Sequence, residues 1–118
     1  MPRVYQRPAA RRDLVEHYVY FAENAGEETA DRFLRQADVT FALLAEQLEI
    51  GAALTLNAPQ LAGLRKWRVQ DFENLLIFYP PRPDGATIVR VMHAAQDWWE
   101  RLGIISSRLL KMAAYEAQ

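Results

Sequence analysis

Apolar residues recur along this chain in two periods, and the change of period divides it. From Pro8 onward, Ala10, Leu14, Tyr18, Phe21 and Ala22 return at helical spacing. Pro8 suits the first position of a helix, where its missing N–H is not needed. Asn24-Ala25-Gly26 is a stop, with Gly26 suited to the left-handed position after a helix. Glu27 and Glu28 open a second helix, where acids favour the positive end of the dipole. Its stripe is Ala30, Phe33, Leu34, Ala37, Phe41, Leu44 and Leu48, and its opposite face carries Arg32, Arg35, Asp38 and Glu46. A very short turn therefore joins two helices into a hairpin. Ahead of it, residues 3–7 read as a short edge strand with Val4 and Gln6 on one face.

Residues 49–62, with Gly51 and Pro59, read as a loop, and strand patterns follow. The candidates are Leu64 to Val69, the uninterrupted apolar run Leu75 to Tyr79, and Ala86 to His93. Asp71-Phe72-Glu73-Asn74 is the first turn, and Pro80 to Gly85, with its Asp84-Gly85 pair, is the second. Short turns imply antiparallel neighbours. Residues 95–102 and 105–115 read as helical, with Ser106 or Ser107 as a cap. The order predicts an α+β domain: an N-terminal strand and a two-helix hairpin packed on an antiparallel sheet of three to four strands, then a short C-terminal helix. The domain spans residues 1–102, and 103–118 form a helical extension. The hairpin lays its Leu/Phe stripe on one sheet face and leaves the other for solvent or a partner.

Composition narrows the classes. A length of 118 residues, 51% apolar and 25% charged, fits one globular core. The chain has no cysteine, which excludes disulfides and thiolate chemistry and fits a reducing compartment. The first residues show no apolar h-region, and no run reaches transmembrane length, so a cytoplasmic protein without a membrane partner is expected. Net charge is −1, with nine acids and six Arg/Lys in residues 1–50 and five acids and six Arg/Lys in 51–102. That is no basic stripe, so direct nucleic-acid binding by the chain alone is not expected. His17 and His93 lie on different elements, no acid cluster has ligand spacing and no Gly-rich phosphate loop exists, so neither metal nor cofactor is expected.

Five stretches, in order, carry a family resemblance. They are Pro8-Ala9-Ala10 with Asp13-Leu14, Ala30-Asp31-Arg32-Phe33, Gly63 to Val69, Leu75-Leu76-Ile77-Phe78-Tyr79, and Ile88 to His93. The chain resembles the RelE/ParE superfamily of toxins from bacterial type II toxin–antitoxin modules, over residues 3 to about 100. Within it the sequence looks like the ParE branch. That branch often ends its last strand with His-Gly-x-Arg-Asp; here the stretch is His93-Ala94-Ala95-Gln96-Asp97, with both the Gly and the Arg replaced. The resemblance implies a toxin that poisons DNA gyrase, neutralised by a cognate antitoxin of ribbon-helix-helix type whose tail wraps it. Its RelE-like alternative cuts messenger RNA on the ribosome. The loss of the Arg keeps a third reading open, a relic that only binds its antitoxin.

Cutting RNA through its 2′-hydroxyl needs a base, an acid and cations. The candidates are Arg65, Lys66, Arg68, Arg90 and His93, with Tyr79 as a spare acid. Strand alternation puts Lys66 and Arg68 on one face and Arg65 on the other with Trp67 and Val69. It puts Arg90 between Ile88 and Met92, and His93 with Val89 and Val91. Trp98 falls about where RelE-like ribonucleases often carry a Tyr, and an indole cannot take a proton. Binding is therefore favoured over catalysis. On the bland readings, His93 bonds the backbone or Asp97, Arg90 pairs with Asp13 or Glu16, and Arg65 and Arg68 form a solvated face. Trp98 and Trp99, adjacent on a helix, point about 100° apart, so one lies at a rim. Aromatics and Arg anchor interfaces, which makes Arg65, Trp67, Arg68, Arg90, Asp97, Trp98 and Trp99 candidate partner contacts. Phe33, Phe41 and Leu44 on helix two offer apolar surface to an antitoxin tail.

Overall fold

The structure, a computed structural model, describes residues 2–54 and 63–95. The helices expected at 95–102 and 105–115, and the extension 103–118, lie outside the described residues. The elements run β1 (Arg3–Gln6), α1 (Pro8–Ala25), α2 (Glu27–Glu46), β2 (Ala52–Ala53), β3 (Arg65–Val69), β4 (Phe72–Tyr79), β5 (Pro81–Arg82), β6 (Gly85–Ile88) and β7 (Arg90–His93). This is the α+β fold expected, two helices packed on a sheet. Pro8 stands in the first turn of α1 and Gly26 alone separates the helices. Its φ of 97 with ψ of 157 is a conformation L side chains rarely adopt.

Two sheets share the strands. One has order β2-β3-β4-β7, the other β1-β6-β5. The segment expected as one strand from Ala86 to His93 is divided at Val89. Before the break β6 pairs with β1 in parallel and with β5; after it β7 pairs antiparallel with β4. Val89 N–H donates to Phe78 O at 2.8 Å, which holds the crossing point against β4. The break resets the alternation: Ile88 and Val91, three apart, both join the core cluster under the helices. Of the expected placing of Arg90 with Ile88 and Met92, the Met92 half holds within β7 and the Ile88 half fails for that reason. The β3–β4 turn is also tighter than expected, centred on Gln70-Asp71, so that Phe72 already belongs to the strand. Asp71 takes φ 67, a left-handed conformation that Asp tolerates.

The core lies between the hairpin and the larger sheet. Phe33, Phe41 and Leu44 from α2 meet Leu75, Ile77, Tyr79, Ile88 and Val91. Each large apolar side chain so buried contributes roughly 1.5–3 kcal/mol. Phe21, Phe33 and Phe72 form a ring cluster with centroids 5.1–5.5 Å apart. The second sheet face, expected to be left for solvent or a partner, is not bare. Phe78 and Met92, outside that cluster, are 0% and 1% exposed. Apolar side chains of that size are stable when shielded from water.

Three polar fastenings hold the layers. Thr40 Oγ1 donates to Gln36 O and accepts the Gln70 N–H, tying α2 to the end of β3. The buried Tyr79 hydroxyl donates to Leu48 O at 3.0 Å and accepts the Gly51 N–H at 3.0 Å, fixing the chain after α2. The third is a clamp at the free edge of β7. Asp13, 5% exposed, accepts from Arg90 Nε at 2.7 Å, from Arg90 Nη2 at 2.8 Å and from the Val91 N–H at 2.9 Å. One turn along α1, His17 Nε2 lies 2.8 Å from Val91 O. A carbonyl only accepts, so that nitrogen donates. Both outward-facing backbone groups of Val91 are thus satisfied by side chains of one helix.

Gly85 has φ 153, and a Cβ there would land on the Arg3 carbonyl of the paired β1. Gly85→Ala is expected to cost more than about 1 kcal/mol in a denaturant titration; an unchanged midpoint would show that β1 adds nothing. Asp13→Ala strands a partly buried guanidinium and a backbone donor, so a loss of about 3 kcal/mol is expected. Asp13→Asn, which can still accept from Val91, should lose less, and equal losses would refute the backbone part of the clamp. Burial holds the Tyr79 phenol above its ordinary 10.0, so folding favours the protonated form. Its contribution is complete below pH 10 and is lost as pH rises through the raised value. Tyr79→Phe should cost about 1–3 kcal/mol at neutral pH and show a shallower alkaline decline than wild type. Parallel stability–pH curves for the two proteins would contradict this.

Candidate functional site

The residues proposed for chemistry are dispersed by the fold. Arg65 and Tyr79 are register partners on β3 and β4, and both serve the chain after α2. Arg65 Nη1 donates to Gly51 O at 2.6 Å and Glu49 O at 3.2 Å, beside the Tyr79 bonds to Gly51 and Leu48. Arg90 is held by Asp13, and those hydrogen bonds raise its guanidinium above its ordinary range against the cost of desolvation. His93, at the exposed end of β7, accepts the Ala95 N–H at Nδ1, 3.1 Å away. That is the backbone bond of the bland reading; Asp97, its other suggested partner, lies outside the described residues. Lys66 and Arg68 have the strand parity of Phe78 and Met92, away from the helices. Arg90, the register partner of Phe78, shares that parity but is turned to Asp13 of α1, and Arg65, Arg90 and His93 serve three separate local structures.

The partner-contact candidates also divide. Phe33, Phe41 and Leu44 are 0%, 1% and 0% exposed, so the folded domain already occupies them. Trp67 packs partly buried against the core, and the exposed Arg68 lies over its ring at 4.3 Å. This pair is a cation–π platform at the surface. Asp97, Trp98 and Trp99 lie outside the described residues. Between α1 and the β3–β4 turn is an open cleft of about 650 Å³, lined in part by His17, Tyr20, Phe21, Phe72, Glu73 and His93. Among the described residues no three His, Cys, Asp or Glu side chains group as metal ligands. No helix among them is long and apolar enough to cross a membrane.

A surface that the sequence reading passed over is the outer face of the β1-β6-β5 sheet. Val4 and Gln6 are register partners of the buried Ala86 and Ile88, although Val4 itself, on the edge strand, is 37% exposed. Arg3 and Tyr5 consequently point outward, level with Gly85 and Thr87. Arg7 is still extended, with φ −71 and ψ 154, and continues that alternation. Arg82, opposite Gly85, stacks over the Tyr5 ring at 4.2 Å and donates to Thr87 Oγ1. The one acid here, Asp84, accepts from the Tyr5 hydroxyl at 2.7 Å, which holds its carboxyl below the usual range, and lies 3.4 Å from Arg82. The alternation Arg-x-Tyr-x-Arg was the available signal, but five residues with no apolar periodicity are weak evidence for which side faces out.

Residues 4–98 match the family model described as "ParE toxin of type II toxin-antitoxin system, parDE". Among solved structures, the fold is similar to a chain from "Chromosomal ParDE TA system from P. aeruginosa", with a TM-score of 0.63 and 17% identity over 79% of this chain and 96% of that one. At that identity the likeness concerns the fold alone. A search of curated proteins returned no relative. The family match extends over most of the chain, from β1 through β7: the chain belongs to the ParE toxin family of type II toxin–antitoxin systems.

Proposed function

We propose that this chain is the toxin of its module, that it acts in the cytoplasm by binding and poisoning DNA gyrase, and that a cognate antitoxin of ribbon-helix-helix type neutralises it. The observation that carries the choice of binding over RNA cleavage is the Asp13–Arg90 pair. A ribonuclease needs cations free to meet a phosphorane. Here Arg90 is joined to a buried carboxylate, Arg65 to two carbonyls, and the spare acid, Tyr79, is buried with its hydroxyl bonded twice. What remains accessible suits recognition instead, above all the Arg68–Trp67 platform. Asp97, Trp98 and Trp99 are proposed as further contacts to gyrase or antitoxin. The replacement of the branch's Arg by Gln96 favours a second reading, a relic that retains antitoxin binding alone.

Expression without an antitoxin separates these readings. The expected outcome is filamentous growth with DNA-damage signalling, and in vitro a loss of gyrase supercoiling with accumulation of cleaved DNA. Rapid cleavage of ribosome-bound message at normal supercoiling would overturn the proposal in favour of the ribonuclease. A folded, antitoxin-binding protein without effect on growth or gyrase would establish the relic.

A further inference from the structure

We infer that the outer face of the β1-β6-β5 sheet grips the phosphate backbone of duplex DNA. Arg3, Arg7 and Arg82 share this face with Tyr5 between them, and Arg11 and Arg12 follow, exposed, in the first turns of α1. Arg11 stands one turn above Arg7, its N–H bonded to Arg7 O at 3.1 Å. Arg3, Arg7, Arg11 and Arg12 are exposed and form no ion pair among the described residues. The net charge of −1 conceals this surface, because acids elsewhere in the chain offset it.

The chemistry selects a polyanion. All five cations are Arg, whose planar fork matches phosphate oxygens and carboxylates alike. An acidic peptide needs more than charge, because exposed ion pairs are individually weak. It needs apolar anchors, and among the described residues this face offers none: its aromatic ring lies under Arg82, and Ala86 and Ile88 are buried in the core. A dense phosphate lattice gains affinity from charge alone, by releasing condensed counterions. The choice of duplex DNA over other nucleic acids rests on the gyrase reading, since a protein bound to gyrase sits beside the duplex that gyrase holds.

The test is fluorescence anisotropy of the full chain with a labelled duplex of roughly 30 base pairs, titrated across salt without gyrase. The slope of log affinity against log salt is expected to be near −3 to −4, about −0.9 for each of some four phosphates contacted. Arg3→Gln with Arg7→Gln should reduce that slope by about two and weaken low-salt binding about tenfold or more. The corresponding Lys double variant should keep most of the binding, which separates lost charge from lost fold. Arg32→Gln with Arg35→Gln removes the same charge from α2 and should leave binding nearly unchanged. Absence of binding at low salt, or equal weakening by the α2 pair, would overturn the inference. So would better competition by duplex RNA or by polyglutamate of equal charge. Gyrase inhibition without DNA binding would sink this inference alone, whereas DNA binding without gyrase inhibition would sink the gyrase reading.

Discussion

One carboxylate closes this fold. Asp13 accepts three hydrogen bonds, two from Arg90 and one from the backbone of Val91, at a place where β7 would otherwise present an open edge. Unpaired strand edges invite association with other chains. Here α1 acts as a surrogate strand: Asp13 takes the Val91 N–H, and His17, four residues on, serves its carbonyl. A buried ion pair repays its desolvation only when geometry is good and the remaining lone pairs are satisfied. The two-point grip on Arg90 and the added backbone donor meet both conditions. Once α1 is fixed to β7, the single-residue link at Gly26 leaves α2 little choice but to lie across the sheet, where Phe33, Phe41 and Leu44 fill the core.

Much of this was legible in the sequence, for reasons that also explain what was not. The hairpin declared itself because its apolar stripe spans five turns, and Pro8 and Gly26 mark its limits with local chemistry. The run Leu75 to Tyr79 declared itself because a strand packed on both faces is apolar at every position. The break at Val89 left no local mark. Ile88, Val89 and Val91 are β-branched, and only the competing pairings with β1 and β4 divide them. The two-residue strands β2 and β5 are too short for any period, and the left-handed turn at Asp71 lacks the glycine that would announce it. Asp13 was one of two acids within helical reach of Arg90; the geometry selects it over Glu16 because the same carboxylate also reaches the Val91 N–H.

The candidate site was less legible than the fold, because residue type does not reveal a residue's partner. An Arg on a strand reads the same whether it braces a loop, neutralises a buried acid or waits for a phosphate. Arg65 does the first and Arg90 the second. Tyr79 likewise reads as an acid in sequence and works as a two-way hydrogen-bonding peg in the structure. Motif resemblance therefore carries the family and the architecture but not the chemistry, which depends on which side chains the fold leaves accessible.

The split of one expected strand into β6 and β7 decides that accessibility. Had Ala86 to His93 stayed straight along β4, β1 would have lost its parallel partner, and the side chains of Arg3 and Tyr5 would have no fixed direction. The bend hands Gly85–Ile88 to β1, and the absence of a side chain at Gly85 lets the Arg3 backbone approach. Alternation then does the rest: Val4 and Gln6 turn toward Ala86 and Ile88, and Arg3, Tyr5 and Arg7 turn away from them. Asp13 and Tyr79 fasten the larger sheet to α1 and to the chain after α2. The smaller one sets the direction of its arginines, so the interaction that pairs Arg90 also holds in place β7, which continues from the strand beside which Arg3 and Arg7 are displayed.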